Sequence, residues 1–130
     1  MVYWGRKGGF SALREKRWFK LDNAGKLYPA VSTARWSSIF RISAELNEPI
    51  DPVRLQKAAD SVLPRFPSLK VRLRAGIFWY YLEEIKEPLT VRQDSGHPCM
   101  PFRFKEDHGY LLRVFYYRNR ISAEFFHSLT

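Results

Sequence analysis

Histidine is the side chain whose unperturbed pKa lets it take up and release a proton near neutrality. Of the three histidines in this 130-residue chain, His127 closes the run Ile121-Ser122-Ala123-Glu124-Phe125-Phe126-His127. That run reads as a strand, with Ile121, Ala123, Phe125 and His127 on one face and Ser122, Glu124 and Phe126 on the other. An imidazole at the end of an apolar row, where a buried strand passes into a loop, suits a general base, because a water-poor setting strengthens its effect. Taken alone, the same spacing more often marks a structural or surface histidine.

The other reactive types are less well placed. His97, Cys99 and His108 supply three possible ligands in a Pro-containing loop, whereas structural zinc takes four at recognisable spacing. No metal is expected. Cys99 has no base that the sequence pairs with it, so nucleophilic chemistry is not assigned there. Glu83, Glu84 and Glu87 could do acid–base work, but they read as a solvated loop after a strand. Phe78-Trp79-Tyr80-Tyr81 alternates faces in a strand. Core packing is the favoured role for it, with a channel wall as the alternative.

The elements that must position His127 follow from periodicity. Residues 1–17 read as a basic, Gly-containing tail, and residues 18–130 as the folded unit. Residues 21–31 read as a turn or short helix closed by Pro29. From Trp36 to Leu46 the chain alternates, with Trp36, Phe40, Ile42, Ala44 and Leu46 opposite Arg41, Ser43 and Glu45, the pattern of a half-buried strand. Asp51-Pro52 opens the clearest helix, since Asp51 can cap the first turn and Pro52 suits its first position. Leu55, Ala58, Ala59, Val62 and Leu63 then share one helical face, and Pro64 and Pro67 stop the helix. Val71–Arg74 and Ile77–Leu82 read as a hairpin about Ala75-Gly76, and a loop over 84–109 holds one short strand near Leu89–Arg92. Tyr110–Tyr117 and Ile121–His127 form a second hairpin through Arg118-Asn119-Arg120, with Asn119 as the residue that tolerates a left-handed conformation. The fold class is α/β: a two-layer sandwich of one mixed sheet with hairpins, covered by one long helix.

Composition sets the outer bounds. A 45% hydrophobic share is ordinary for a single globular domain, and aromatic residues are abundant at 16%. One cysteine excludes an internal disulfide and fits a reducing, cytoplasmic setting. No run of about 18 apolar residues spans a membrane, and the first residues lack a secretory signal. Of the +9 net charge, +5 arises in residues 1–20, where six Lys and Arg face only Glu15. Such charge attracts any polyanion, whether nucleic acid, an anionic membrane or a phosphate-bearing ligand, but is most simply a solvated face.

Several segments carry a resemblance in order. His127-Ser128-Leu129-Thr130 resembles the first four positions of the HxxxD motif of the CoA-dependent acyltransferases of the chloramphenicol acetyltransferase and condensation-domain type. Leu63-Pro64-Arg65-Phe66-Pro67-Ser68-Leu69 with Val71-Arg72-Leu73-Arg74 is similar to the RHP-x-L segment after that superfamily's first long helix. Trp18-Phe19-Lys20-Leu21-Asp22-Asn23-Ala24, Tyr28-Pro29-Ala30, Gly76–Tyr81 and His108–Val114 look like bacterial alcohol acetyltransferase-like proteins. The resemblance covers roughly residues 18–130. It implies the N-terminal half of a chloramphenicol acetyltransferase-like fold, with His127 as the base that deprotonates an alcohol or related acceptor. Acyl-CoA would be the co-substrate, with no permanently bound cofactor. The chain departs from the family pattern in lacking the motif aspartate, whose position falls beyond Thr130, and the DFGWG segment. Taken as a half whose partner is the C-terminal half of the same fold, it is expected to expose apolar surface, to self-associate and to transfer no acyl group alone.

Two readings from other classes stand beside this one. Arg72, Arg74, Arg113, Arg118 and Arg120 near Tyr and Phe could serve a small basic nucleic-acid-binding module, though no RNP-like or helix-turn-helix signature is present. A non-catalytic structural or regulatory pseudo-half would leave His127 as a strand-end residue only.

Overall fold

Asp51 does cap the helix. In the computed structural model, which describes residues 3–4, 18–20, 39–77, 80–102 and 107–129, its Oδ1 accepts from Val53 N at 2.9 Å and Arg54 N at 3.4 Å. Helix α1 runs Pro52–Val62, and the ring of Pro64, which lacks an N–H, turns the chain into two short 3-10 turns, Leu63–Arg65 and Pro67–Leu69. The strands are β1 Tyr3–Trp4, β2 Trp18–Lys20, β3 Ile39–Glu45, β4 Val71–Ala75, β5 Tyr80–Glu84, β6 Arg92–Gln93, β7 Leu112–Tyr117 and β8 Arg120–Phe126. Helix and strand are thus mixed, as an α/β chain requires. Among the described residues no helix is long and apolar enough to cross a membrane.

The strands divide between two sheets rather than forming one. The first has the order β1-β2-β5-β4 and is antiparallel throughout. The second has the order β3-β8-β7-β6 and is mixed, because β6 runs parallel to β7. The hairpin β4–β5 pairs with β2 instead of joining β3, and a single bridge between Arg72 and Tyr110 links it to the chain entering β7. Within residues 1–17, Tyr3 and Trp4 pair with Lys20 and Phe19. The segment expected over 21–31, Trp36, and the side chains of Phe78 and Trp79 lie outside the described residues.

Two apolar clusters hold the sheets. Val71, Leu82, Leu111 and Phe126 fill the space between the two sheets, with Ile39, Leu73 and Phe102 against them. Leu63, Ile85, Leu89, Tyr110 and Leu112 cover the Val114, Ala123 and Phe125 side of β7 and β8. Each fully buried side chain of this size is worth about 1.5–3 kcal/mol. Helix α1 contributes less than its pattern suggests. Leu63, just past its end, is buried, but no residue of α1 itself is, and Val62 is 46% exposed.

Burial in β3 follows position along the strand rather than face, with Ile39, Phe40 and Arg41 half-buried and residues 42–45 exposed. Ile42 is 60% and Leu46 46% exposed, while Arg41 is half-buried. The cause is position: β3 lies at the rim of its sheet, beyond the cover of Leu63 and its neighbours, and Arg41 is drawn inward by two carboxylates described below. In the β7–β8 turn the left-handed residue is Arg118 (φ 52°) rather than Asn119. Asn119 instead clasps the end of β3, donating from Nδ2 to Leu46 O at 2.9 Å and accepting Leu46 N–H at 2.8 Å.

Tyr110 ties the second cluster to the loop after β5, its hydroxyl donating to Glu87 O at 2.7 Å. Burial first, and then the carboxylates of Glu87 and Asp60, push this phenol from 10.0 up to about 12. A raised pKa means that the neutral form is favoured in the fold. Its stabilisation is complete below the unfolded value near 10 and is lost as pH rises toward 12. Alkaline unfolding curves should show this component in the native chain. Tyr110→Phe should lack it, while losing only about 1 kcal/mol at neutral pH.

Candidate active site

His127 follows β8 directly and opens the 3-10 turn His127–Leu129, one residue beyond the strand's last member. It is exposed, and its neighbour Phe126 is 2% exposed in the inter-sheet cluster. Strand β8 is hydrogen-bonded on both sides, to β3 and β7. The imidazole therefore stands on the rim of the sheet, held from behind by a well-anchored strand. Leu129, two residues on, packs against both apolar clusters and fixes the exit of the turn.

The expected apolar row behind His127 is not the deeper face of β8. Ile121, Ala123 and Phe125 are half-buried, whereas Ser122, Glu124 and Phe126 are buried. The register explains why. Glu124 lies directly between Arg41 of β3 and Arg113 of β7. Its Oε1 accepts Arg41 Nε at 2.9 Å and Cys99 N–H at 2.6 Å, and its Oε2 meets Arg113 Nη2 at 2.6 Å. Arg41 Nη1 also reaches Asp94 at 2.7 Å, and Arg120 lies 3.7 Å from the same carboxylate. Arg113 donates to Met100 O and lies 4.1 Å over the Phe102 ring, which packs edge-on against Phe126. Next along β8, Ser122 shares a 2.8 Å hydrogen bond with Ser43.

Electrostatics follow from this packing. Burial pulls the Arg41 guanidinium down, but the hydrogen bonds it donates to Asp94 and Glu124 outweigh that and hold the group above its ordinary value. Burial raises the Asp94 carboxyl, yet Arg41 and the Gly96 amide more than offset it and keep it below the usual range. Burial lowers Arg113, with Glu124 opposing. The cluster is a structural brace across three strands and the 94–102 loop. Sequence reading missed it, although one signal was available: β3, β7 and β8 each carry an alternate-position charge of complementary sign.

The remaining candidates fall apart in space or chemistry. Burial first, then Glu124, pushes the Cys99 thiol up, which disfavours the thiolate that a nucleophile needs. His97 and His108 are exposed, and among the described residues no three His, Cys, Asp or Glu side chains gather to hold a metal. Glu83 is not in a solvated loop. It is buried on β5, binding Arg72 Nε at 2.7 Å and Arg74 Nε at 3.1 Å, because β4 places both arginines beside it. Glu84 is half-buried and Glu87 exposed. Of the arginines considered for nucleic acid, Arg72, Arg74 and Arg113 are thus engaged by glutamates, and Arg118 and Arg120 lie over the Tyr117 ring.

A cleft of about 350 Å³ opens between the start of α1 and the sheet, lined by Leu46, Ile50, Arg54, Leu55 and Ile121. Ile121 is the second residue of β8 and His127 follows its end, so at about 3.3 Å per residue the two lie roughly 20 Å apart. The cleft does not serve the imidazole. Against known proteins, the chain matches no family model and no curated protein.

Proposed function

We propose that this chain is the base-carrying N-terminal half of a CoA-dependent acyltransferase, with His127 as the general base. The observation that carries the reading is the placement of His127, exposed at the end of a strand paired on both sides and backed by buried Phe126. An imidazole so placed is held at the surface, where a substrate hydroxyl can approach. The resemblance of His127-Ser128-Leu129-Thr130 to the start of an HxxxD motif supplies the reaction class.

In this reaction the His127 nitrogen takes the proton of the acceptor hydroxyl as its oxygen attacks the thioester carbonyl. The tetrahedral oxyanion collapses by breaking the C–S bond, giving an ester and a CoA thiolate that takes up the proton. An alcohol is the expected acceptor and acetyl the expected acyl group. The C-terminal half would supply the opposite wall of the channel and the groups that bind CoA.

Mass spectrometry of the intact protein incubated with labelled acetyl-CoA and a set of alcohols should detect labelled ester. Thiol release with no ester, or no thiol release from any acceptor, would overturn the reading. The 130-residue chain alone should transfer nothing. The nucleic-acid reading is less well supported, because a phosphate would have to compete with Glu83 and Glu124 for the arginines it needs.

A further inference from the structure

Among the described residues, β3 hydrogen-bonds to β8 alone and leaves its other edge open. An open edge is a template for another strand, and here the register identifies which backbone groups it offers. Leu46 N–H bonds Asn119 O, so in the antiparallel ladder Phe40, Ile42, Ala44 and Leu46 direct their amides toward β8. Ile39, Arg41, Ser43 and Glu45 direct theirs outward.

We propose that β3 is a homotypic docking edge, pairing antiparallel with β3 of a second copy across a two-fold axis through Ser43. In that register outward residues meet outward residues: Ser43 faces Ser43, and Arg41 faces Glu45 in both directions. Every pair can then form ladder bonds. On one face the charges are complementary. On the other, Phe40 meets Leu46 and Ile42 meets Ala44, covering a row whose Ile42 is 60% and Leu46 46% exposed. Directly opposed pairs of these kinds stabilise a sheet, and like charges in the same place destabilise it.

The buried cluster adds an independent reason. Among the described residues, Arg41, Arg113 and Arg120 face two carboxylates there, Asp94 and Glu124. Arg41 Nη2 lies 2.7 Å from Glu124 Oε1, an oxygen that already accepts Arg41 Nε and the Cys99 amide. Glu45 of a second copy would arrive beside Arg41 and add a further carboxylate to that face. The interface is isologous and closes at two copies, joining two four-stranded sheets into one. This inference does not depend on the acyl-transfer reading.

Sedimentation equilibrium of the chain across the micromolar range tests it. A reversible dimer is expected. Ser43→Pro removes an outward N–H at a position where an edge strand tolerates proline, and Glu45→Arg sets like charges opposite Arg41. Each should weaken association by about tenfold or more. Hydrogen exchange supplies a readout that needs no variant: the amides of Arg41, Ser43 and Glu45 should slow as concentration rises. A monomer throughout the range, or a dimer that both variants leave intact, would overturn the proposal.

Discussion

Glu124→Ala is expected to cost about 3–5 kcal/mol of folding stability, the usual effect of removing one partner from a buried ion pair. The carboxylate is 1% exposed and receives Arg41, Arg113 and the Cys99 amide. Without it, two guanidinium groups remain in the sheet face with only Asp94 and the Met100 carbonyl for partners. A domain of this size has about 5–15 kcal/mol in hand, so the variant should unfold at much lower urea. Glu48→Ala, in the loop after β3 and exposed, should change stability by about 0.5 kcal/mol or less. Replacing Arg41, Glu124 and Arg113 together by apolar residues of similar volume should restore much of the loss, because desolvation of the charges then disappears with them. Urea titrations of the three variants distinguish these outcomes. A Glu124→Ala cost below about 1 kcal/mol would show that the brace is not what holds β3, β7 and β8 together.

His127→Gln should have the opposite profile. The residue is exposed, so folding stability should change by about 0.5 kcal/mol or less. Acyl transfer by the intact protein should nevertheless fall by about 10²–10⁴-fold in kcat, with KM nearly unchanged, because glutamine keeps a hydrogen-bonding end but cannot accept the acceptor's proton. Glu124 on β8 and His127 just past its end lie three residues apart, yet one substitution should remove the fold and the other only the chemistry. Circular dichroism and kinetics on the two variants separate these roles.

The local rules were legible wherever a short stretch decides the outcome. Asp51-Pro52 starts the helix where capping chemistry places it, and the β7–β8 hairpin forms where expected, although Arg118 rather than Asn119 takes the left-handed conformation. Strand alternation is equally local, and β3 is a strand as its pattern requires. Which face turns inward is not local. It depends on three strands arriving in register so that Arg41, Glu124 and Arg113 stand side by side. Polar residues that look solvated in one strand become the buried face once their partners are counted. Glu83 illustrates the same point, because Arg72 and Arg74 across β4 are what draw it inside. The division into two sheets is likewise a matter of partner choice, which periodicity within single segments does not encode. For the site, the position of His127 at a strand end was legible, but its exposure on the rim was not. That exposure reflects the turn that begins one residue earlier than the apolar run implies.

The central claim is that His127 removes the proton from an acyl acceptor. It is tested most directly by following thiol release from acetyl-CoA by the intact protein and by its His127→Gln form, with the same alcohol acceptor and matched folding. Acceptor-dependent release by the native protein that falls by about 10²–10⁴-fold in the variant is the predicted result. Equal rates in the two proteins would contradict it.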